Sequence, residues 1–267
     1  MKVAFIGGGT MAEALLGGIL SSEVAVAEEI KIGEPVEARR DFLTQKYNVE
    51  TFADNTKAIA NADLIILAVK PQDFNKITGE LKISIKSNQT ALSIIAGAKI
   101  STLAQNLEHS SVIRVMPNTP AQIGCGMSMW TCTPQVDVTT KEVTRAILSS
   151  VGQEIFVEDE KYLDMATALS ASGPAYVFLF IEALIDAGVY VGLPRDISRT
   201  LALQTVFGST QLVIETGNHP AVLKDMVVSP GGTTAEGLQV LELEGLPGAI
   251  VNAVKAAYQK AISLGQQ

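Results

Sequence analysis

The chain has 267 residues, and its 20 Lys and Arg against 28 Asp and Glu give a formal net charge of −8. This acidic balance argues against nucleic acid or a membrane as a partner, because both need a basic surface to neutralise phosphates. Hydrophobic residues make up 47% of the chain and charged residues 18%, so a large core is expected and a disordered chain is excluded.

The first 160 residues alternate strand-like runs with helical stretches. Apolar, mostly β-branched runs predict strands at 3–6, 30–32, 49–52, 64–69, 91–95, 112–116, 126–131 and 154–157, with helices at 10–20, 35–47, 74–81 and 101–107 among them. This alternation is typical of βαβ units and a mostly parallel sheet. The fold class is therefore predicted to be α/β, with a Rossmann-type doubly wound domain over residues 1–160.

After about residue 160 the pattern changes to helical spacing of apolar residues. Helices are predicted at 174–191, 196–216, 220–227, 234–244 and 247–264, separated by proline and glycine. An all-helical domain is expected over residues 161–267. Its most apolar stretch, 165–181, contains Ser170, Ser172 and Pro174 and is predicted to be a buried helix rather than a membrane span.

The run Gly7-Gly8-Gly9-Thr10-Met11-Ala12 follows the first strand and opens a helix. This is the G-x-G-x-x-A form of the dinucleotide fingerprint, in which glycines allow a tight turn and a close approach of backbone N–H groups to a pyrophosphate. The pyrophosphate would lie at the helix N-terminus, where free donors and the helix dipole favour anions. A tight strand-to-helix turn without a ligand is the alternative.

The position after the second strand bears on the choice of dinucleotide. Glu34 lies where an acidic residue meets the ribose hydroxyls, and its carboxylate would repel a 2′-phosphate and favour NADH. Arg39 and Arg40 are near enough in sequence to bind a 2′-phosphate instead. A solvated helix N-terminus also explains Glu34 before Pro35. The pattern favours NADH and leaves NADPH open.

Three further loops carry polar or small residues beside predicted elements. Lys70-Pro71 and Met116–Pro120 end strands at the carboxyl edge, where open α/β sheets bind ligands, although proline-rich strand termination explains them too. The run Ser229–Thr234 precedes a helix and leaves backbone N–H groups free to face an anion such as a carboxylate. A plain capped loop is its alternative.

Histidine, cysteine and metal-ligand patterns are equally informative. His109 lies among polar residues and is expected in a solvated connection, while His219 precedes Pro220 at a helix start. With no Ser-His-Asp order and no metal-ligand cluster, the substrate is expected to need little acid–base help. Cys125 and Cys132 form no disulfide framework and no zinc site, so we expect no metal and a reducing, cytoplasmic location.

These motifs together resemble the pyrroline-5-carboxylate reductases, the last enzymes of proline biosynthesis. The matching segments are residues 5–14, 68–72, 114–120, 172–176 and 229–238, in the family's order and at its spacings. Thr10 stands where many members have asparagine. The resemblance implies an N-terminal Rossmann domain and a C-terminal helical domain that intertwines with a second copy, with the active site at the dimer interface and further assembly into rings of dimers.

The resemblance also implies the reaction and its residues. Hydride from NADPH or NADH reduces the C=N bond of L-1-pyrroline-5-carboxylate to L-proline. The expected substrate residues are Ser229, Gly231, Gly232 and Thr233, with the Thr234 hydroxyl at the ring nitrogen as the catalytic group. The expected cofactor residues are Ile6, Gly7, Gly9, Thr10, Met11, Glu34, Asn55, Ala68, Val69, Lys70, Pro71, Met116 and Asn118.

Two other functions remain open at this level. A β-hydroxyacid dehydrogenase also pairs a Rossmann domain with helices, but it uses a lysine of the helical domain. Lys161 and Lys224 are the only lysines between residues 160 and 250, and neither lies in the matching motif context. A non-catalytic dinucleotide sensor would need the glycine turn but not the Ser229–Thr234 loop, and a DNA-binding form would need a basic face.

Overall fold

The computed structural model describes residues 1–265, and within them eight strands form one sheet. They are β1 Val3–Ile6, β2 Ile30–Gly33, β3 Glu50–Phe52, β4 Leu64–Leu67, β5 Thr90–Ser93, β6 Val112–Met116, β7 Gly126–Cys132 and β8 Gly152–Phe156. Their order is β3-β2-β1-β4-β5-β6-β7-β8. The first six are parallel in the Rossmann order, whereas β7 is antiparallel to β6 and parallel to β8.

Helices follow most of these strands, and all the described elements after β8 are helical. Those of the sheet region are α1 Thr10–Ser21, α2 Glu37–Tyr47, α3 Asn55–Ile59, α4 Phe74–Leu81, α5 Ile100–Leu107, α6 Val138–Ser149 and α7 Lys161–Ala166. A π-helical turn, Thr167–Ala171, leads to α8 Gly173–Tyr190, α9 Arg195–Thr216, α10 Pro220–Met226, α11 Thr233–Leu243 and α12 Leu246–Leu264. The predicted strands are all present, and the fold class is confirmed. The sequence did not predict α3, α6 or α7.

The core of the sheet region has two layers because successive side chains of a strand point to opposite faces. Phe5 packs in one layer with α1 and α6 residues such as Leu15 and Ile147. Ile6 packs in the other layer, which contains residues of α3, α4 and α5. All four positions of β4 are buried, as expected for a parallel strand with helices on both faces. The carboxyl ends of β1 and β4 therefore meet where the strand order reverses.

Contacts between residues divide the chain into two compact units. The first contains Met1–Ser172 together with the end of α12 from Ala257, and the second contains Gly173–Ala256. Within the second unit α8 and α9 pack closely, since Gly188 lies against Ser198, whose hydroxyl donates to the Ile185 carbonyl at 2.7 Å. The domain limits 1–160 and 161–267 stay a prediction.

The helical stretch from α7 through the π-helical turn to α8 corrects one expectation. Its residues 161–190 are long and apolar enough to cross a membrane by length and composition, and only 6% of an apolar 18-residue stretch within them is buried in the chain. Leu169 and Phe178 are 67% and 61% exposed. The expectation of a buried helix is therefore wrong for a single chain, because these side chains have no core of their own to enter.

Candidate active site

The turn after β1 requires glycine at its first position. Gly7 has a φ of +95°, a left-handed conformation that glycine adopts without a steric penalty. A Cβ there would lie 2.7 Å from the carbonyl oxygen of Ala68, which follows β4. The Gly7 N–H donates to the carbonyl of Gly33 at the end of β2, at 2.8 Å. Gly7 thus joins the carboxyl ends of three neighbouring strands.

The N-terminus of α1 is open and has no side-chain cap. Gly9 is its N-cap with φ −69° and ψ −175°, and no side chain of residues 1–265 accepts from the first-turn amides. A Cβ on Gly9 would meet no atom of the described residues within 4 Å. Free amides and the positive end of the helix dipole face this space. The cradle formed by Gly9, Thr10 and Met11 therefore fits the pyrophosphate of a dinucleotide.

Glu34 lies against the same turn and is only 8% exposed. Its Oε2 accepts the N–H of Gly8 at 2.9 Å, and its Oε1 accepts the N–H of Val36 at 2.9 Å. The solvated helix N-terminus considered from the sequence does not describe this side chain. A carboxylate has further lone pairs, so Glu34 retains the capacity to accept a ribose hydroxyl.

A charged cluster on α1 and α2 borders the turn. Glu13 accepts from Arg39 Nη2 at 2.6 Å, Lys46 Nζ at 2.8 Å and the Tyr47 hydroxyl at 2.9 Å. Burial tends to raise the pKa of the Glu13 carboxyl, but the hydrogen bonds from Lys46, Arg39 and Tyr47 outweigh it and hold the pKa at about 2. Glu13 is therefore ionised at any physiological pH.

Both arginines of α2 are held by the chain itself. Arg39 also donates through Nε to the Gly8 carbonyl, and its guanidinium lies 4.9 Å from the ring centroid of Phe42. Arg40 Nη1 donates to the carbonyls of Glu34 at 2.9 Å and Pro35 at 2.8 Å. The sequence indicates these arginines only as ligands of a 2′-phosphate and gives no sign of the role of Glu13.

The other residues predicted around the nucleotide line the same edge of the sheet. Asn55 begins α3, is buried and lies against Gly33, and its Nδ2 donates to Glu80 at 3.2 Å. The Ala68 N–H donates to the carbonyl of Ile6 at 2.8 Å. Three more predicted residues follow this strand end. Val69 is so near the turn that a Cβ added to Gly7 would lie 3.1 Å from its side chain. Lys70 is exposed, and Pro71 begins a 3-10 turn.

The loop after β6 is held by an amide side chain. Asn118 Oδ1 accepts the N–H of Met127 at 2.8 Å, and its Nδ2 donates to the carbonyl of Ser170 at 3.1 Å. The Ser170 hydroxyl is buried and has no partner among the described residues. Asn118 thus joins the loop to β7 and to the π-helical turn. The placing of Asn118 and of Met116 beside a nicotinamide stays a prediction.

The predicted substrate loop lies in the second unit. Gly231 has a φ of +67°, and the Gly232 N–H donates to the Ser229 carbonyl at 2.9 Å. Gly232 is the N-cap of α11, again without a side-chain cap. The helix begins at Thr233, so Thr233 and Thr234 supply first-turn amides that are free to meet an anion. A carboxylate has the size and charge for this position.

The histidines and lysines carry other roles. The expectation of a solvated His109 is wrong: the residue is 8% exposed, and its Nε2 lies 2.7 Å from the Gln89 carbonyl oxygen. His219 Nδ1 accepts the N–H of Ala221 and caps α10, as turn chemistry predicts. Lys161 pairs with Asp159 at 2.7 Å and Lys224 with Glu242 at 3.6 Å, and all four side chains are exposed.

The structure thus groups the predicted residues in two sets. The cofactor residues collect at the carboxyl edge of the sheet in the first unit, around the ends of β1, β2, β4 and β6. The substrate residues Ser229–Thr234 form one loop of the second unit. Their assignment to cofactor and substrate stays a prediction for each residue.

The strand order and the open glycine turn define an α/β protein of the dinucleotide-binding class, with a helical second unit. Residues 2–97 match the family model of coenzyme F420-dependent NADP oxidoreductases, and residues 160–264 match that of pyrroline-5-carboxylate reductase dimerisation. The pyrroline-5-carboxylate reductase of Synechocystis is 42% identical and aligns with 100% of this chain and 99% of its own. The chain belongs to the pyrroline-5-carboxylate reductase family, as the motifs predicted.

Solved structures agree over the full length. The pyrroline carboxylate reductase of Plasmodium falciparum, solved with NADP bound, is 35% identical, has a TM-score of 0.90 and covers 99% of this chain and 98% of its own. The pyrroline-5-carboxylate reductase of Coxiella burnetii is 32% identical with a TM-score of 0.91, over 100% and 99% of the two chains. Both units of this chain therefore have counterparts in these proteins.

Proposed function

We propose that this chain reduces L-1-pyrroline-5-carboxylate to L-proline with NADPH or NADH, the last step of proline biosynthesis. The observation that carries the proposal is family membership over the full length at 42% identity. Both predicted binding features are present in the described chain: the open glycine turn at α1 and the uncapped N-terminus of α11.

The first unit binds and orients the dinucleotide. The amides of Gly9, Thr10 and Met11 hold the pyrophosphate, Glu34 and Asn55 border the adenosine, and residues 68–71 with Met116 and Asn118 border the nicotinamide. When bound, the reduced nicotinamide supplies a hydride. Ile6 and Gly7 fix the turn because they join it to β4 and β2. This fixed geometry orients the reacting ring.

The second unit recognises the substrate. The Thr233 amide, with Gly231 and Gly232, binds the carboxylate, and Ser229 keeps the turn in place. The Thr234 hydroxyl contacts the ring nitrogen. A protonated cyclic imine is already electrophilic, so a new C–H bond forms at the C=N carbon as the π electrons move to nitrogen. The residues therefore need only to position the substrate ring, and such positioning accelerates a reaction greatly.

The active protein is proposed to be a homodimer that assembles further into a ring of dimers in the cytoplasm. The dimerisation family model over residues 160–264 supports the dimer. Exposed apolar side chains of α8 and α9, such as Phe178 at 61% and Phe207 at 58%, supply the surface that a second copy would cover. The free thiols Cys125 and Cys132 agree with a reducing compartment. Size-exclusion chromatography with light scattering tests the assembly.

The alternative functions lack support in this chain. A β-hydroxyacid dehydrogenase needs a catalytic lysine, whereas Lys161 and Lys224 are exposed and paired with carboxylates. A non-catalytic dinucleotide sensor would not need the Ser229–Thr234 loop before α11.

A tracer experiment tests the reaction itself. The protein is incubated with pyrroline-5-carboxylate and NADH deuterated at C4 on one face and then, separately, on the other. One of the two labels should appear at C5 of proline, the former C=N carbon. Proline without label from either cofactor would contradict direct hydride transfer.

A further inference from the structure

The peptide at Gly8 is held from both sides by charged side chains. Its N–H is bound by Glu34 at 2.9 Å, and its carbonyl accepts from Nε of Arg39. Gly8 is also the position where a Cβ would collide with Leu43 and approach Glu34 Oε2 to 3.3 Å. Glu34 and Arg39 therefore flank one point of the turn, with opposite charges close to the expected position of the adenosine ribose.

The cation at this point, Arg39, is already paired with a carboxylate within the chain. Arg39 is bound to Glu13 at 2.6 Å, and Lys46 is bound to the other oxygen of the same carboxylate at 2.8 Å. The Glu13 side chain is 19% exposed and that of Arg39 27%, so this ion pair is partly shielded from water. The Tyr47 hydroxyl adds a third donor to Glu13.

A 2′-phosphate on the ribose would need a free cation to offset Glu34. Arg39 and Lys46 are the cations of the α1–α2 cluster, and both are held by Glu13. Arg40 donates to the carbonyls of Glu34 and Pro35. We propose that Glu13 is a positioning residue for cofactor specificity: by retaining Arg39 and Lys46 it withholds them from a 2′-phosphate, and together with Glu34 it selects NADH. This inference rests on the proposed dinucleotide function.

The direct probes are adenosine 2′,5′-bisphosphate and 5′-AMP, which differ only in the 2′-phosphate. Their affinities for the full-length protein are measured by calorimetry, and the ratio of the two affinities is the readout. Glu13→Gln should raise the bisphosphate affinity about fivefold relative to AMP, the size of one partly exposed charge interaction. In steady-state assays the same variant should lower the KM for NADPH while its kcat stays within twofold.

The matched control is Glu28→Gln, which removes one exposed negative charge outside the cluster. It should leave the ratio of affinities within twofold. Glu13→Gln combined with Arg39→Ala and Lys46→Ala should lose the gain, because both cations that the proposal releases are then absent. A gain that survives these added changes would contradict the roles given to Arg39 and Lys46.

A second pair of variants tests the proposal without altering Glu13. In a Glu34→Ser background the repulsion is removed while Glu13 still holds Arg39. Adding Arg39→Ala should then leave the ratio of bisphosphate affinity to AMP affinity within twofold. A fall of fivefold or more in this ratio would overturn the proposal, because it would mean that Arg39 reaches the phosphate while Glu13 is still present. An unchanged ratio in Glu13→Gln also overturns it. Protein that binds neither NADH nor AMP would instead contradict the dinucleotide function itself.

Discussion

The glycine turn offers a prediction in which two neighbouring glycines should respond differently to the same methyl group. Gly7→Ala places a Cβ 2.7 Å from the Ala68 carbonyl oxygen in a backbone with φ +95°. The left-handed conformation costs an L-residue about 1–2 kcal/mol, and overlap in a well-packed region typically costs about 1–3 kcal/mol. The free energy of unfolding should therefore fall by about 2–5 kcal/mol.

Gly9→Ala is the matched control. Gly9 has φ −69°, which alanine adopts freely, and its Cβ would meet no atom within 4 Å among the described residues. Loss of a glycine N-cap costs less than about 1 kcal/mol. The new methyl group, however, enters the space assigned to the pyrophosphate, so NADH should bind at least about tenfold more weakly, a loss of about 1.4 kcal/mol.

Urea denaturation of the ligand-free protein and titration with NADH fluorescence measure the two effects. Protein concentration is kept constant, because an oligomer's stability depends on it. We expect the Gly7→Ala variant to be less stable than the unaltered protein. The Gly9→Ala variant should be nearly as stable as the unaltered protein but should bind NADH poorly. A Gly9→Ala variant with normal NADH affinity would show that no pyrophosphate approaches this backbone, and equal stabilities would refute the packing argument at Gly7.

Three further predictions concern single side chains. Glu34→Ser removes the carboxylate beside the ribose and should shift the ratio of kcat/KM towards NADPH several-fold, about 1 kcal/mol, so an unchanged ratio would assign the choice to other residues. Thr234→Val keeps the β-branched shape but loses the hydroxyl, which should lower kcat/KM for pyrroline-5-carboxylate roughly 10- to 150-fold with NADH affinity unchanged. Poor NADH binding with normal turnover at saturation would instead make the loop structural. Glu13 has a folded-state pKa of about 2 against an ordinary 4.5, so its stabilising effect is complete above pH 4.5 and is lost as the pH falls towards 2. Glu13→Gln should flatten that part of the stability curve in acid titrations followed by circular dichroism.

Much of the fold was predictable because its signals are local. The run Leu64–Leu67 is apolar at every position, and a strand of this kind is buried on both faces in a parallel sheet. Gly7 follows a strand and precedes a helix, so its turn was also evident. By contrast, α6 begins with Val138, Thr139 and Thr140, residues that are weak helix formers, and its start depends on the Asp137 cap.

The features that the sequence does not reveal depend on distant partners. Glu13 and Arg39 are 26 residues apart, and their contact exists only because α1 and α2 follow adjacent strands. His109 is buried, and its Nε2 contacts the carbonyl of Gln89, 20 residues earlier. The exposure of α8 in a single chain could be anticipated only from the family resemblance, because apolar periodicity indicates that a face is covered without indicating whether the same chain covers it.

This chain is proposed to act on a cyclic imine acid with a nicotinamide as hydride donor. The most direct measurement follows the loss of NADH and NADPH absorbance with pyrroline-5-carboxylate as the only added substrate. The same assay is run in parallel with linear keto acids. β-Hydroxyacids are tested with oxidised cofactor, by following the gain of absorbance. We expect rapid oxidation of the reduced cofactor with pyrroline-5-carboxylate and almost no reaction with the open-chain acids. Comparable rates on an open-chain acid would contradict it.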